Sequence, residues 1–305
     1  MQYLGLQKQI SRNNRYSFLL LIAFPALLLG MFYTFFFFID KQDTDLVNQH
    51  FLTTIPFVLI GVGIWFFIAW IGHTAFIRLA TGSKTLTRME NTRVYNLLEN
   101  LCIQQGIVTP AIYIIEDDSL NAFASGINSK TYSVSLSKGI IEKLNDEELE
   151  GVIAHELTHI RNRDTRLLII SIIFVGIFAF LSQMALRSLR FGLGGKKKEG
   201  GYIIIIAIAV TAICYFISLF LRFGISRSRE YLADAGSAEM TKKPYALANA
   251  LRKIDSDPLI EAVHSSDVAQ LFIDNPQTEK KNFFSGLFDT HPPISKRIEL
   301  LEQFV

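Results

Sequence analysis

Glu147-Glu148-Leu149-Glu150-Gly151-Val152-Ile153-Ala154-His155-Glu156-Leu157-Thr158-His159-Ile160 is the stretch on which the reading of this chain turns. It contains no proline, and Asn145 followed three residues later by Glu148 marks a helix start, so the spacing predicts a helix from Asn145 past His159. Histidines four residues apart on a helix share a face and can bind one ion. Neutral imidazole nitrogens suit zinc, and a catalytic zinc keeps one position open for water. Glu156, beside the first histidine, is then placed to take the water's proton and pass it to a leaving amine. The rival reading is a helix whose histidines are solvated or paired with Glu148 or Asp164.

Two histidines and a water leave one protein ligand to find. The chain continues Ile160-Arg161-Asn162-Arg163-Asp164-Thr165, which lacks the glycine and third histidine of the metzincin form. The best candidate is Glu230, which opens Glu230-Tyr231-Leu232-Ala233-Asp234 on an expected helix, since a carboxylate is an accepted third ligand of zinc. Asp234, one turn on, is in place to accept the second ring N–H of a ligand histidine and fix its tautomer. By itself this spacing is also that of a solvated helix face. His291, set before Pro292 and Pro293, is a candidate donor to the oxyanion of a tetrahedral intermediate. A loop histidine packing the C-terminal helix reads equally well. Arg297 is an alternative donor, a substrate contact or a structural clamp.

Around these residues the composition is that of a membrane protein with a soluble part: half of the residues are hydrophobic, 19% are charged and the mean hydropathy is +0.30. A net charge of +2, with no basic stripe interleaved with aromatics, points away from nucleic acid as a partner. The two cysteines, Cys102 and Cys214, have no paired spacing, which argues against a disulfide scaffold or a thiolate zinc site and fits a reducing or redox-neutral compartment.

Residues 1–15 read as a polar cytoplasmic tail, and residues 16–39 as a charge-free first transmembrane helix, long enough to cross about 30 Å of hydrocarbon and too long for a cleaved signal core. An acid-leaning external loop, 40–50, leads to a second span at 51–72. Basic residues flank the pair, at Lys8, Arg12 and Arg15 and then at Arg78, Lys84 and Arg88, so the positive-inside rule puts both ends of this hairpin in the cytoplasm. Residues 81–166 read as the first part of a soluble α+β domain, with a helix at 87–105 ended by Gly106 and a small antiparallel sheet from 111–115 and 132–136. Apolar segments 167–186 and 202–221 follow, each about 20 residues and within spanning range. The loop between them, 187–201, carries Arg187, Arg190, Lys196, Lys197 and Lys198, so a simple hairpin exports basic charge against the usual trend. The adopted reading is that the pair crosses; the alternative is that it enters only partly or packs on the soluble domain. Residues 222–305 return to a mostly helical second part of the domain. No charge interrupts any of the four apolar runs, which speaks against a transporter.

Residues 148–159, Glu230 to Asp234, Asn121-Ala122-Phe123-Ala124, and His291-Pro292-Pro293 with Arg297 together closely resemble the HtpX-like membrane metalloproteases, a family related to the CAAX prenyl protease of the Ste type. The resemblance covers nearly the whole chain. It implies membrane α-helical segments plus an α+β zincin-like (gluzincin) domain, mainly helical with a small antiparallel sheet. It implies that His155, His159 and Glu230 bind one zinc ion per chain, that Glu156 is the catalytic carboxylate, and that Asp234 supports the ligands. In the same view, residues 121–124 lie along the cleft and hold extended substrate by β-addition. Polypeptide substrates follow, damaged membrane proteins among them under stress, cleaved at the cytoplasmic face of a bacterial inner membrane. The competing reading is a catalytically silent scaffold that kept the fold, and the presence of Glu156 weighs against it.

Overall fold

Asn145 and Glu148 do what their spacing predicts. The Asn145 side chain accepts the Glu148 backbone N–H, the Glu148 carboxylate accepts the Asn145 N–H, and a helix runs from Asp146 to Asn162. The computed structural model describes residues 6–40, 43–192, 198–223, 227–257, 260, 271–273 and 292–303. Their elements, in chain order, are α1 (Leu6–Ile39), α2 (Thr44–Thr81), β1 (Lys84–Thr85), α3 (Thr92–Gln105), β2 (Ala111–Ile115), β3 (Ala122–Ser125), β4 (Ser133–Ser137), α4 (Lys138–Lys143), α5 (Asp146–Asn162), α6 (Asp164–Gly192), α7 (Lys198–Phe223), α8 (Arg227–Thr241), α9 (Pro244–Ile254) and α10 (Ile294–Glu302).

The chain forms two units. One comprises Arg15–Gly72 and Ile170–Gly224. Its helices are held by aromatic contacts: Phe24 stacks on Phe174 at 4.9 Å between ring centroids, Phe66 stacks on the same ring at 5.5 Å, and the Trp65 indole donates to the Ile173 carbonyl. Large apolar side chains face outward, among them Phe57, 76% exposed, and Leu52, 66% exposed. Such a surface is stable when lipid covers it. Among the described residues, three helical stretches, Ile10–Ile39, Thr44–Thr81 and Asp164–Arg187, are long and apolar enough to cross a membrane, and Ile205–Ile217 is a shorter apolar stretch. The first two helices are longer than the apolar runs predict. The stretch read as a tail is helical from Leu6, and α2 continues to Thr81.

The other unit comprises Met1–Asn14, His73–Ile169 and Ile225–Val305. Its core lies where α3, α5 and α9 meet the sheet, through Leu98, Leu101, Val134, Leu136, Val152, Ile153, Leu157, Leu247 and Leu251. Helix α3 starts five residues later than the apolar pattern predicts, because the Asn91 side chain caps Val94 N–H, and it ends as expected at Gly106 in the left-handed region. The sheet has the order β1-β2-β4-β3 and is mixed, which corrects the antiparallel expectation. Strands β2 and β4 pair in parallel, Ala111 opposite Ser133, while β3 runs antiparallel to β4, Phe123 opposite Ser135. The parallel pairing follows from inserting β3 between them in sequence and pairing it on the far side of β4.

Helix α5 is almost wholly buried, and α8 lies against it at close range. Gly236 sits over Thr158, and the Ser237 hydroxyl donates to the Gly151 carbonyl at 2.7 Å. This close approach fixes what α8 presents to the two histidines.

Candidate metal centre

On α5, His155 and His159 face the same side, with their Nε2 atoms 3.2 Å apart. Each ring is tied from behind by a carboxylate: His155 Nδ1 lies 3.0 Å from Asp234 Oδ1, and His159 Nδ1 lies 3.0 Å from Asp164 Oδ2. A carboxylate only accepts, so a neutral ring carries its proton on Nδ1 and turns the Nε2 lone pair inward. Glu230, in the first turn of α8, closes the third side, with Oε1 3.5 Å from His159 Nε2 and Oε2 3.7 Å from His155 Nε2. The three ligand atoms lie within 4.8 Å of one another. Two lone pairs and a carboxylate converging in a buried space repel one another unless a cation lies between them, so this donor set fits a metal ion.

The protonation of the neighbours agrees. Burial opposes a charge on His159, but Asp164, Glu230 and Glu156 outweigh it and push the ring up to about 9, so the groups around His159 favour positive charge there. Burial holds His155 below its ordinary value. Burial alone also raises Asp234, yet the Arg297 guanidinium and His155 prevail and hold that carboxyl below the usual range. Glu156 is buried, and among the described residues neither of its carboxylate oxygens has a partner at hydrogen-bond distance. Burial pushes it up to about 7; Glu230 adds to this, and His159 and the nearby Ala124 N–H oppose it. A carboxyl poised near neutrality is suited to taking and returning a proton.

The profile of Peptidase family M48 matches residues 88–305 of this sequence. The chain belongs to that family. The M48 chain is 56% identical to a Protease HtpX homolog of Bacteroides fragilis over the full length of both, and 34% identical to a Protease HtpX homolog of Listeria monocytogenes over 97% of this chain and 98% of the other. Among solved structures it is similar to the Ste24p of S. mikatae, at 18% identity and a TM-score of 0.49 over 96% of this chain and 66% of the other. This M48 protein is thus a membrane metalloprotease. The family implies a metal, and the His155, His159 and Glu230 cluster is a place that fits one.

The structure places two further candidates. Arg297, read as an alternative donor, a substrate contact or a structural clamp, is fully buried: Nε donates to Asp234 Oδ2 at 2.9 Å, Nη2 to Asp234 Oδ1 at 2.7 Å and Nη1 to the Ile273 carbonyl at 3.0 Å, and Nη1 also lies 3.6 Å from Glu230 Oε2. It is a bidentate clamp on the aspartate behind His155. The segment Asn121 to Ala124 does form the sheet edge, but not an open one. Ile273 N–H donates to the Ala122 carbonyl at 2.8 Å, and Phe272 bridges to Phe123, so residues 271–273 already cover that half of the strand. His291 lies outside the described residues. Sequence reasoning missed Arg229, which is buried next to Glu230 and Asp164, and assigned Asp164 only to the rival reading. The signal for Asp164 was a carboxylate five residues beyond the second histidine.

Proposed function

We propose that His155, His159 and Glu230 hold one zinc ion and that Glu156 is the general base of a peptide-bond hydrolase acting on membrane and membrane-proximal proteins. The reading is carried by one observation: two Nε2 atoms 3.2 Å apart, each backed by a carboxylate, face Glu230 beside the buried Glu156. When bound, zinc supplies a Lewis acid for water and for the scissile carbonyl. The residues do the rest. Glu156 takes a proton from the attacking water and delivers it to the leaving amine nitrogen as the C–N bond breaks. Asp164 and Asp234 keep both imidazoles in the tautomer that turns the Nε2 lone pairs toward Glu230, where they would hold the metal, and Arg297 keeps Asp234 ionised.

The basic residues flanking the first two spans support a cytoplasmic site in a bacterial inner membrane. A site on that side, in a protein anchored by apolar helices, suits the removal of damaged membrane proteins. The test is detergent-purified protein, metal analysis and cleavage of an unfolded protein. Glu156→Gln is expected to keep its zinc and lose cleavage, and undiminished hydrolysis by that variant refutes the assignment. Glu230→Ala is expected to lose most of its metal; wild-type zinc content in that variant points to a different third ligand.

A further inference from the structure

Helix α5 ends at Asn162 and α6 begins at Asp164, with Arg163 alone between them in the left-handed region at φ 62°. Asp164, the first residue of α6, is the carboxylate behind His159. The brace comes from the other end of the sequence. Asn13, on α1, is 1% exposed, and its side-chain nitrogen lies 2.6 Å from Asp164 Oδ1 and 2.8 Å from the Asn162 carbonyl oxygen. Both partners can only accept, so the amide must present its NH₂ to them, and both of its N–H groups are used. One satisfies a carbonyl that the end of α5 leaves without a helical partner. The other fixes the oxygen of Asp164 that His159 does not take.

From this we infer that Asn13 is a positioning residue for the metal: it orients Asp164, which orients His159. The inference rests on reading His159 as a zinc ligand. Arg229, buried nearby, supplies Asp164 with opposite charge. The Asn13 amide adds direction, because a hydrogen bond is directional and this one is buried. Outer partners of ligand histidines are worth about 10- to 100-fold in metal affinity. Asn13 stands one contact further out, so its removal should weaken zinc by about tenfold, the low end of that range.

The test is zinc affinity of the full chain in detergent, by competition with a chromogenic chelator, with the visible spectrum of the cobalt-substituted protein as a second readout. Asn13→Ala is expected to bind zinc about tenfold more weakly than wild type and to shift the cobalt bands. Asn13→Leu keeps the side-chain volume and removes only the amide, and it decides the matter if the smaller side chain does not fold. In an Asp164→Ala background the Asn13 substitution should have no further effect, because it acts through that carboxylate. Wild-type affinity in Asn13→Leu overturns the inference, as does an equal loss with and without Asp164, which is the mark of general packing damage. If wild-type protein itself binds no zinc, the proposed function fails instead.

Discussion

Replacing Gly236 with alanine tests whether the spacing of α5 and α8 sets the metal site. A Cβ built at Gly236 lies 2.5 Å from Thr158 Cγ2, 2.6 Å from its Oγ1 and 3.1 Å from its Cβ. The first two distances fall short of ordinary contact by about 1 Å. Thr158 cannot easily yield. It is fully buried, its side chain is β-branched, and its hydroxyl donates to the Ala154 carbonyl at 2.9 Å. The strain therefore passes to the helices. Overpacking of this kind costs about 1–3 kcal/mol, against a gain of about 1 kcal/mol from replacing glycine inside a helix. The net change in stability is small, whereas Glu230 and Asp234 ride on the same helix and move relative to His155 and His159. A shift of about 1 Å at a catalytic site lowers the rate about 100-fold. Zinc titration, thermal unfolding and peptide cleavage, with Gly61→Ala as control because nothing lies within 4 Å of its added Cβ, measure these effects separately. The double variant Gly236→Ala/Thr158→Ala removes the clashing atoms and should recover most of the zinc affinity. Undiminished zinc binding and activity in Gly236→Ala alone would refute the reasoning.

Arg297→Ala leaves Asp234 buried without its guanidinium and should destabilise the protein by about 3–5 kcal/mol while weakening zinc; Arg297→Lys should recover only part, since an ammonium does not span both oxygens. Thermal unfolding with and without metal checks both. Asn145→Ala removes the cap of α5 and should lower stability by about 1 kcal/mol, read from the denaturant midpoint. Burial raises the Cys102 thiol from its ordinary 9.0 to about 11, so the folded protein keeps it protonated where an unfolded chain ionises. Stability from this group is full below pH 9 and is lost between pH 9 and 11, and maleimide labelling at pH 8 should be slow until denaturant is added. Prompt labelling of the native protein contradicts it.

What was legible in the sequence was local. The i, i+4 histidines, the capping pair of Asn145 and Glu148, the helix end at Gly106 and the apolar runs each announce themselves within a few residues. Glu230 and Asp234 were readable as a candidate third ligand and a support for a ligand histidine, but their spacing by itself is equally that of a solvated helix face. The strands could be read but not their pairing, because side-chain alternation does not say which neighbour a strand takes. The order β2-β4-β3 depends on contacts across the sheet. The same holds for Asn13 and Arg297. Their contacts with Asp164 and Asp234 span 151 and 63 residues, a range at which no periodicity survives. Arg163 in the left-handed region had no glycine to mark it.

The clamp from Arg297 to Asp234 has a consequence for the time at which the enzyme becomes dangerous. A chain still on the ribosome has both histidines, the glutamate and the aspartate long before it has residue 297. Until that arginine arrives, Asp234 has no counter-charge, and burying it behind His155 is unfavourable. On the proposed assignment, the last part of the site to be made is thus the part that favours closure of the rest.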